Sequence, residues 1–144
     1  MKAVATVSPR SVVIDATQAM KRQDIGAVVV VSDDGKPIGV LTDRDVALRV
    51  VAEGRDPSRT PVEEVMTRGA AYLSHEASIE DASEIMRDCG VRRLPLVDAS
   101  GRVDGLVSFD DLVLLLGMEM GNLASAIFMG MSARARANMQ PESP

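Results

Sequence analysis

Two heptapeptides carry the residues with chemical potential. GVLTDRD at 39–45 and GLVSFDD at 105–111 each set a hydroxyl residue, Thr42 or Ser108, three positions before a carboxylate, Asp45 or Asp111. That spacing is a capping box: the hydroxyl oxygen accepts an orphan N–H at a helix start, and the acid suits the positive helix end. The same arrangement can do more than cap. Exposed N–H groups at a helix start favour phosphate, and a carboxylate one turn in can accept hydrogen bonds from both hydroxyls of a ribose. Gly39 and Gly105 remove a side chain where a ligand or a packed backbone must come close. Asp43 and Asp110 read as solvated first-turn acids.

Catalytic chemistry has little to work with. A nucleophile with a base in reach, or a metal site, is the minimum, and the chain has one histidine and one cysteine. His75 lies in a loop without a cysteine or carboxylate at metal-ligand spacing and reads as a surface residue rimming a phosphate at most. Asp33-Asp34-Gly35 resembles the start of a calcium loop, but the later acids are missing, so it reads as a turn. Cys89 has no disulfide partner, which fits a reducing cytosol, and is expected to serve as a small core hydrophobe. The expectation is a protein that is not an enzyme.

Composition narrows the classes further. A chain of 144 residues that is 46% apolar and 26% charged can bury a real core. Its net charge of −5 gives no electrostatic support for nucleic-acid binding. Tyr72, Phe109 and Phe128 are the only aromatics, too few for a base-stacking platform. The opening MKAVATVSPRS lacks the apolar run of a signal peptide. The stretch from Leu112 to Met131 is the most apolar, but Glu119 and Asn122 interrupt it, so no membrane segment is expected. Cytoplasmic location follows as the expectation.

The two heptapeptides belong to a longer repeat. At an offset of 66, Ser8 meets Ser74, Asp15 meets Asp81, Met20 meets Met86, Gly35 meets Gly101 and Asp45 meets Asp111, with no gap between residues 8 and 45. This is a duplicated unit. Val13, Ala16 and Met20, and then Ile79, Ala82 and Met86, recur at helical spacing. GAVVVV and RRLPLV read as buried strands, DDGK and ASGR as hairpin turns, and PIGVL and VDGLV as return strands. With leading strands AVATV and AAYL and a second helix from Thr42 or Ser108, each unit is β-α-β-β-α. The expected divisions are 1–54 for the first unit, 55–66 for a connector with a short helix at PVEEVM, 67–116 for the second unit, and 117–144 for a C-terminal helix with a disordered tail from Met139.

This order of elements resembles the tandem CBS-domain pair. The resemblance rests on GVLTDRD and GLVSFDD, on VRRLPLVD, on the connector TPVEEVMT and on the helices ending in Met20 and Met86, and it covers nearly the whole chain. It implies an α/β fold of two pseudo-twofold-related β-α-β-β-α units in one module, with a C-terminal helical extension and two clefts between the units. It also implies an adenosine-containing ligand, with AMP, ADP or ATP first and S-adenosylmethionine or NAD as variants, and no cofactor or metal. The cleft built on Thr42 and Asp45 would take Ala71, Tyr72 and Val91, with Arg92 or Arg93 near the phosphates. Its mate, built on Ser108 and Asp111, would take Val4, Ala5, Ile25 and Gly26, with Arg93 near the phosphates. Arg92 and Arg93 are neighbours on a strand, so one is expected in a cleft and the other toward solvent or a partner.

From Phe109 to about Ala137 the sequence suits one long helix. Leu112, Leu116, Met120, Leu123, Ile127 and Met131 form an apolar stripe, and Gly117, Gly121 and Ser125 run beside it. Five of the nine methionines fall between Met118 and Met139, where flexible side chains suit adaptable contacts. A homodimer held by this helix is the expectation. The functional expectation is a non-catalytic sensor that binds an adenine nucleotide and acts on a separate, unidentified protein. The competing expectation is a ligand-free dimerisation scaffold.

Overall fold

The computed structural model describes residues 4–69 and 71–139, with side chains through residue 130. The tail after Met139, expected to be disordered, lies outside the described residues. The chain divides into two units, Met1–Phe109 and Asp110–Pro144. The first carries both sheets, and the second is helical.

Within the first unit, β1 (Thr6–Val7), α1 (Val13–Gln23), β2 (Ala27–Val31), β3 (Pro37–Thr42) and α2 (Asp43–Val46) make the first repeat. A π-helical turn over Ala47–Val51 continues α2, and a 3-10 turn over Val62–Glu64 lies in the connector. Next come β4 (Thr67–Arg68), β5 (Leu73–Ser74), α3 (Ile79–Cys89), β6 (Arg93–Val97) and β7 (Val103–Ser108). The sheets run β1-β2-β3-β4 and β5-β6-β7, parallel at the leading strand and antiparallel at the hairpin. The strand β4, antiparallel to β3, has no counterpart in the second sheet among the described residues.

The duplication reaches individual hydrogen bonds. Ile25 N–H donates to the Met20 carbonyl and Val91 N–H to that of Met86, both at 3.0 Å. Asp43 N–H donates to Gly26 and Phe109 N–H to Arg92, at 2.9 and 2.7 Å. Both hairpins shift register at the same place, between Val30 and Val31 and between Leu96 and Val97. The hairpin turns even exchange partners: Ser32 donates to Asp34 in the first, whereas Ser100 donates to Asp98 in the second. α1 and α3 both end in the left-handed region, at Asp24 (φ 51°) and Gly90 (φ 66°).

The apolar periodicity explains the packing. Val13, Ala16 and Met20 of α1 are buried with Val28, Val30, Leu41 and Val62 in one cluster. Ala82 and Met86 of α3 are buried as well. Cys89 departs from expectation: it is exposed. It follows Met86 by three positions on the same helical face, but as the last residue of α3 it stands where the helix ends at Gly90. His75 also finds an unforeseen partner, its Nε2 lying 2.7 Å from Asp104 Oδ2. Strand β7 brings that carboxylate across from a position far away in sequence.

The second unit carries α4, which runs unbroken from Phe109 to Met139 and so passes through Gly117 and Gly121 without a stop. Every residue from Val113 to Gly130 is exposed. The apolar surface exceeds the expected stripe, since Val113, Leu114, Leu115, Met118, Phe128 and Met129 are exposed as well. Over Phe109–Gly130 the helix is long and apolar enough to cross a bilayer by length and composition. Glu119 and Asn122 therefore do not carry the argument against a membrane segment that the sequence reading placed on them.

Candidate functional site: an arginine-lined cleft

The capping box at Thr42 forms as the sequence predicts. Asp45 N–H donates to Thr42 Oγ1, and Thr42 N–H donates to Asp45 Oδ2, both at 3.0 Å. A further box, at the start of α3, joins Ser78 and Asp81. Asp45 does more than cap. It is buried, it accepts from Thr67 Oγ1 at 3.2 Å, and Arg49 Nε stands 3.8 Å from its Oδ1. The amide of Thr42 and the hydroxyl of Thr67 supply two hydrogens to a carboxylate with about four acceptor positions. Capacity for further donors remains.

Gly39 resolves the choice between ligand and backbone. A Cβ there would stand 2.8 Å from the Thr67 carbonyl and 2.8 Å from Met66 Sδ. The glycine lets β4 close on β3, and β4 in turn brings Thr67 to Asp45.

A cleft of about 280 Å³ opens beside this cap, lined by Thr42, Asp45, Ala71, Val91, Arg92 and Arg93 among others. The geometry gathers most of the Thr42 set proposed from sequence. Tyr72 is the exception. It is half-exposed and lines a different depression beside α3, with Ala77, Asp81 and Ile85. Alternation along an extended segment explains this, because Ala71 and Tyr72 face opposite ways.

Both neighbouring arginines line the cleft, where only one was expected. The Arg92 guanidinium sits over the Phe109 ring, 4.8 Å from its centroid. The Arg93 guanidinium reaches toward Gly26, where a Cβ would meet it at 3.1 Å. Arg44 and Arg68 also line the cleft, and sequence reasoning missed both. Four arginines and one carboxylate thus face the same space in a chain of net charge −5. Arg44 lay in plain view inside TDRD. Arg68 could be found only by knowing that the connector returns as β4.

Part of the lining is apolar. Val40, Val91, Leu94 and Pro95 supply it. The cleft therefore combines an aliphatic wall, a hydroxyl–carboxylate pair and a cationic rim, which suits a small anion with an apolar body.

The Ser108 set is placed as follows. Ala5 is buried, and its carbonyl accepts from Val29 N–H at 3.0 Å. Val4 precedes β1 and is half-buried, and Ile25 packs partly on the core. Gly26 and Ile25 line a separate depression along α1 and α2, with Met20, Asp43 and Val46. Ser108 is the last residue of β7, and Asp111 lies in the first turn of α4 in the second unit.

A fold of two β-α-β-β-α repeats with this cleft defines a class of regulatory module. The model of the CBS domain matches residues 1–52 and again 62–117, and the chain belongs to that family. It is 45% identical over 111 residues to CBS domain-containing protein YhcV of Bacillus subtilis, covering 77% of either chain. A putative signal-transduction protein with CBS domains from Burkholderia ambifaria is 35% identical, with a TM-score of 0.70 over 80% of this chain and 83% of that one. The CBS domain protein PAE2072 of Pyrobaculum aerophilum, solved in complex with AMP, shares the fold at a TM-score of 0.70 and 20% identity, over 82% of this chain and 94% of that one. Other relatives are longer: the chain spans 56% of one and 21% of another.

Proposed function

We propose that this chain is a non-catalytic regulatory module that binds an adenosine-containing ligand, AMP, ADP or ATP, in the Thr42–Asp45 cleft. The observation that carries the reading is the lining of that cleft. Thr42 and Asp45 stand ready for ribose hydroxyls, the Val91–Pro95 segment offers an apolar wall for the base, and Arg44, Arg68, Arg92 and Arg93 supply cations for phosphate. The AMP complex of a protein with the same fold supports the ligand class. Occupancy is read out as a shape change by a separate protein in the cytoplasm. The active species is a homodimer, joined through α4, whose exposed apolar surface needs cover.

A second reading has its own support. Asp45 already serves Thr42, Thr67 and Arg49, as a purely structural cap in a ligand-free scaffold would. A thermal-shift series with AMP, ADP, ATP, NAD and S-adenosylmethionine decides between them. A ligand at a hundred times its dissociation constant adds about 2.7 kcal/mol, several degrees for a domain of this size. No shift at millimolar concentration of any of the five favours the scaffold.

A further inference from the structure

One arginine ties together the parts from which the cleft is made. Arg49 stands in the π-helical turn that continues α2, four residues after Asp45 and on the same side of the helix. Its Nη1 donates to the Val65 carbonyl at 3.1 Å and to the Met66 carbonyl at 3.0 Å. The Nε of the same guanidinium lies 3.8 Å from Asp45 Oδ1. Both carbonyls end the connector directly before Thr67, whose hydroxyl lies 3.2 Å from each Asp45 oxygen. Among the described residues that line the cleft, Asp45 and Thr67 appear and Arg49 does not.

The strand that carries Thr67 needs such a fastening. β4 pairs with β3 only at Gly39–Arg68 and Val40–Thr67, and a ladder that short opens readily. The two bonds from Arg49 hold the chain just where it enters β4, and a planar guanidinium has donors enough to face the carboxylate as well. We infer that Arg49 is a positioning residue for the cleft: it pins the connector to α2, so that Thr67 meets Asp45 and the carboxylate keeps one orientation toward the ligand. This rests on the nucleotide-binding reading above and adds to it the residue that sets its ribose contact. A carboxylate that accepts from both hydroxyls of one sugar must face both at once, so that contact is lost when the supporting bonds loosen. The brace belongs to the first repeat. The position equivalent to Arg49 is Leu115, a residue without a side-chain donor, so the two acids of the duplicated phrase are not equivalent.

The test is calorimetric titration of the full chain with AMP and with deoxyadenosine monophosphate, repeated on Arg49→Gln and Arg49→Lys. The wild type should bind AMP about tenfold more tightly than the deoxy form, a hydrogen bond to a charged group being worth at least that factor. Glutamine stops short of the connector carbonyls and carries no charge, so Arg49→Gln should reduce the preference to about threefold or less. Lysine keeps the charge without the fork, and Arg49→Lys should lose most of the preference too. Circular dichroism shows whether each variant folds. A purely structural role would weaken both ligands by the same factor and leave their ratio unchanged. An Arg49→Gln protein that folds and keeps the wild-type ratio therefore overturns the inference. Should that variant fail to fold, an unchanged ratio in Arg49→Lys overturns it. A wild type that binds both nucleotides equally overturns it as well, while nucleotide binding itself stands. Absence of any nucleotide binding by the wild type is a separate result: it removes the functional reading and the inference together.

Discussion

Val103 N–H donates to the Gly35 carbonyl at 3.0 Å, tying the second hairpin to the tip of the first. The reciprocal bond cannot exist, because the position equivalent to Val103 is Pro37. Packing at the two tips is reciprocal all the same: a Cβ on Gly35 would meet Arg102 Nε at 3.0 Å, and one on Gly101 would meet Lys36 Cε at 3.7 Å. Both glycines hold positive φ, 81° and 86°. Gly101→Ala should cost about 1–2 kcal/mol from the left-handed backbone alone. Gly35→Ala should cost more, since Arg102 must also move. Urea unfolding of the two variants orders them, and an equal loss would mean that Arg102 yields freely.

Asp45→Asn separates cap from ligand contact. Asparagine keeps an acceptor for Thr42 N–H but gives up the charge beside Arg49. Stability should fall by about 1 kcal/mol, while nucleotide affinity should fall by about 1.5–3 kcal/mol if the charge holds ribose hydroxyls. Calorimetry beside thermal melting reads both. Unchanged affinity with a lower melting temperature assigns Asp45 to the cap alone.

Arg44 and Arg68 are exposed residues of the cleft wall. Their replacement by alanine should change stability by less than about 0.5 kcal/mol. Binding should weaken most for ATP and least for AMP, and the wild-type affinity should fall as salt rises. Equal losses for all three nucleotides would place the two arginines away from the phosphates.

Three exposed aspartates make stability depend on acid. Asp81 is held below the ordinary aspartate range chiefly by the Ser78 amide, Asp98 by the Ser100 side chain and Asp34 by the Ser32 side chain. A carboxyl whose folded pKa is depressed contributes stability above its unfolded value and loses it as pH falls through the folded one. Melting temperature should therefore drop below about pH 4, and Asp81→Asn should flatten that drop. Parallel curves for the variant and the wild type would sink the assignment to Asp81.

The exposed apolar helix α4 is expected to join two copies. Truncation after Leu116 should convert a dimer in sedimentation at low micromolar concentration into a monomer. A truncated protein that stays a dimer moves the interface elsewhere. Flotation of the full chain with lipid vesicles, lost on truncation, would assign the helix to a bilayer.

Local chemistry made much of the fold legible. Turn glycines, capping boxes and the helical spacing of Val13, Ala16 and Met20 act within a few residues, and the duplication checked each of them twice. What escaped the sequence depends on distant chain segments meeting. Thr67 and Arg68 enter the cleft only because β4 pairs with β3, and Asp104 reaches His75 only through the register of β7. Cys89 was assigned to the core by residue type, yet at the last residue of α3 it is exposed. Tyr72 was assigned to the Thr42 set by resemblance, and strand alternation moved it to the next depression.

The short ladders of the two leading strands have a kinetic meaning. β1 pairs with β2 at Thr6–Val29 and Val7–Val30, and β5 pairs with β6 at Leu73–Leu96 and Ser74–Val97, two residues in each case. Short ladders open before the core does, and amide hydrogen exchange reports such openings directly. The amides of β1 and β5 should exchange among the earliest of the sheet amides. Ala71 lines the cleft two residues before β5, so a ligand bound there would slow the opening of that strand. Sensing and local fraying would then be a single equilibrium, readable at Leu73 and Ser74.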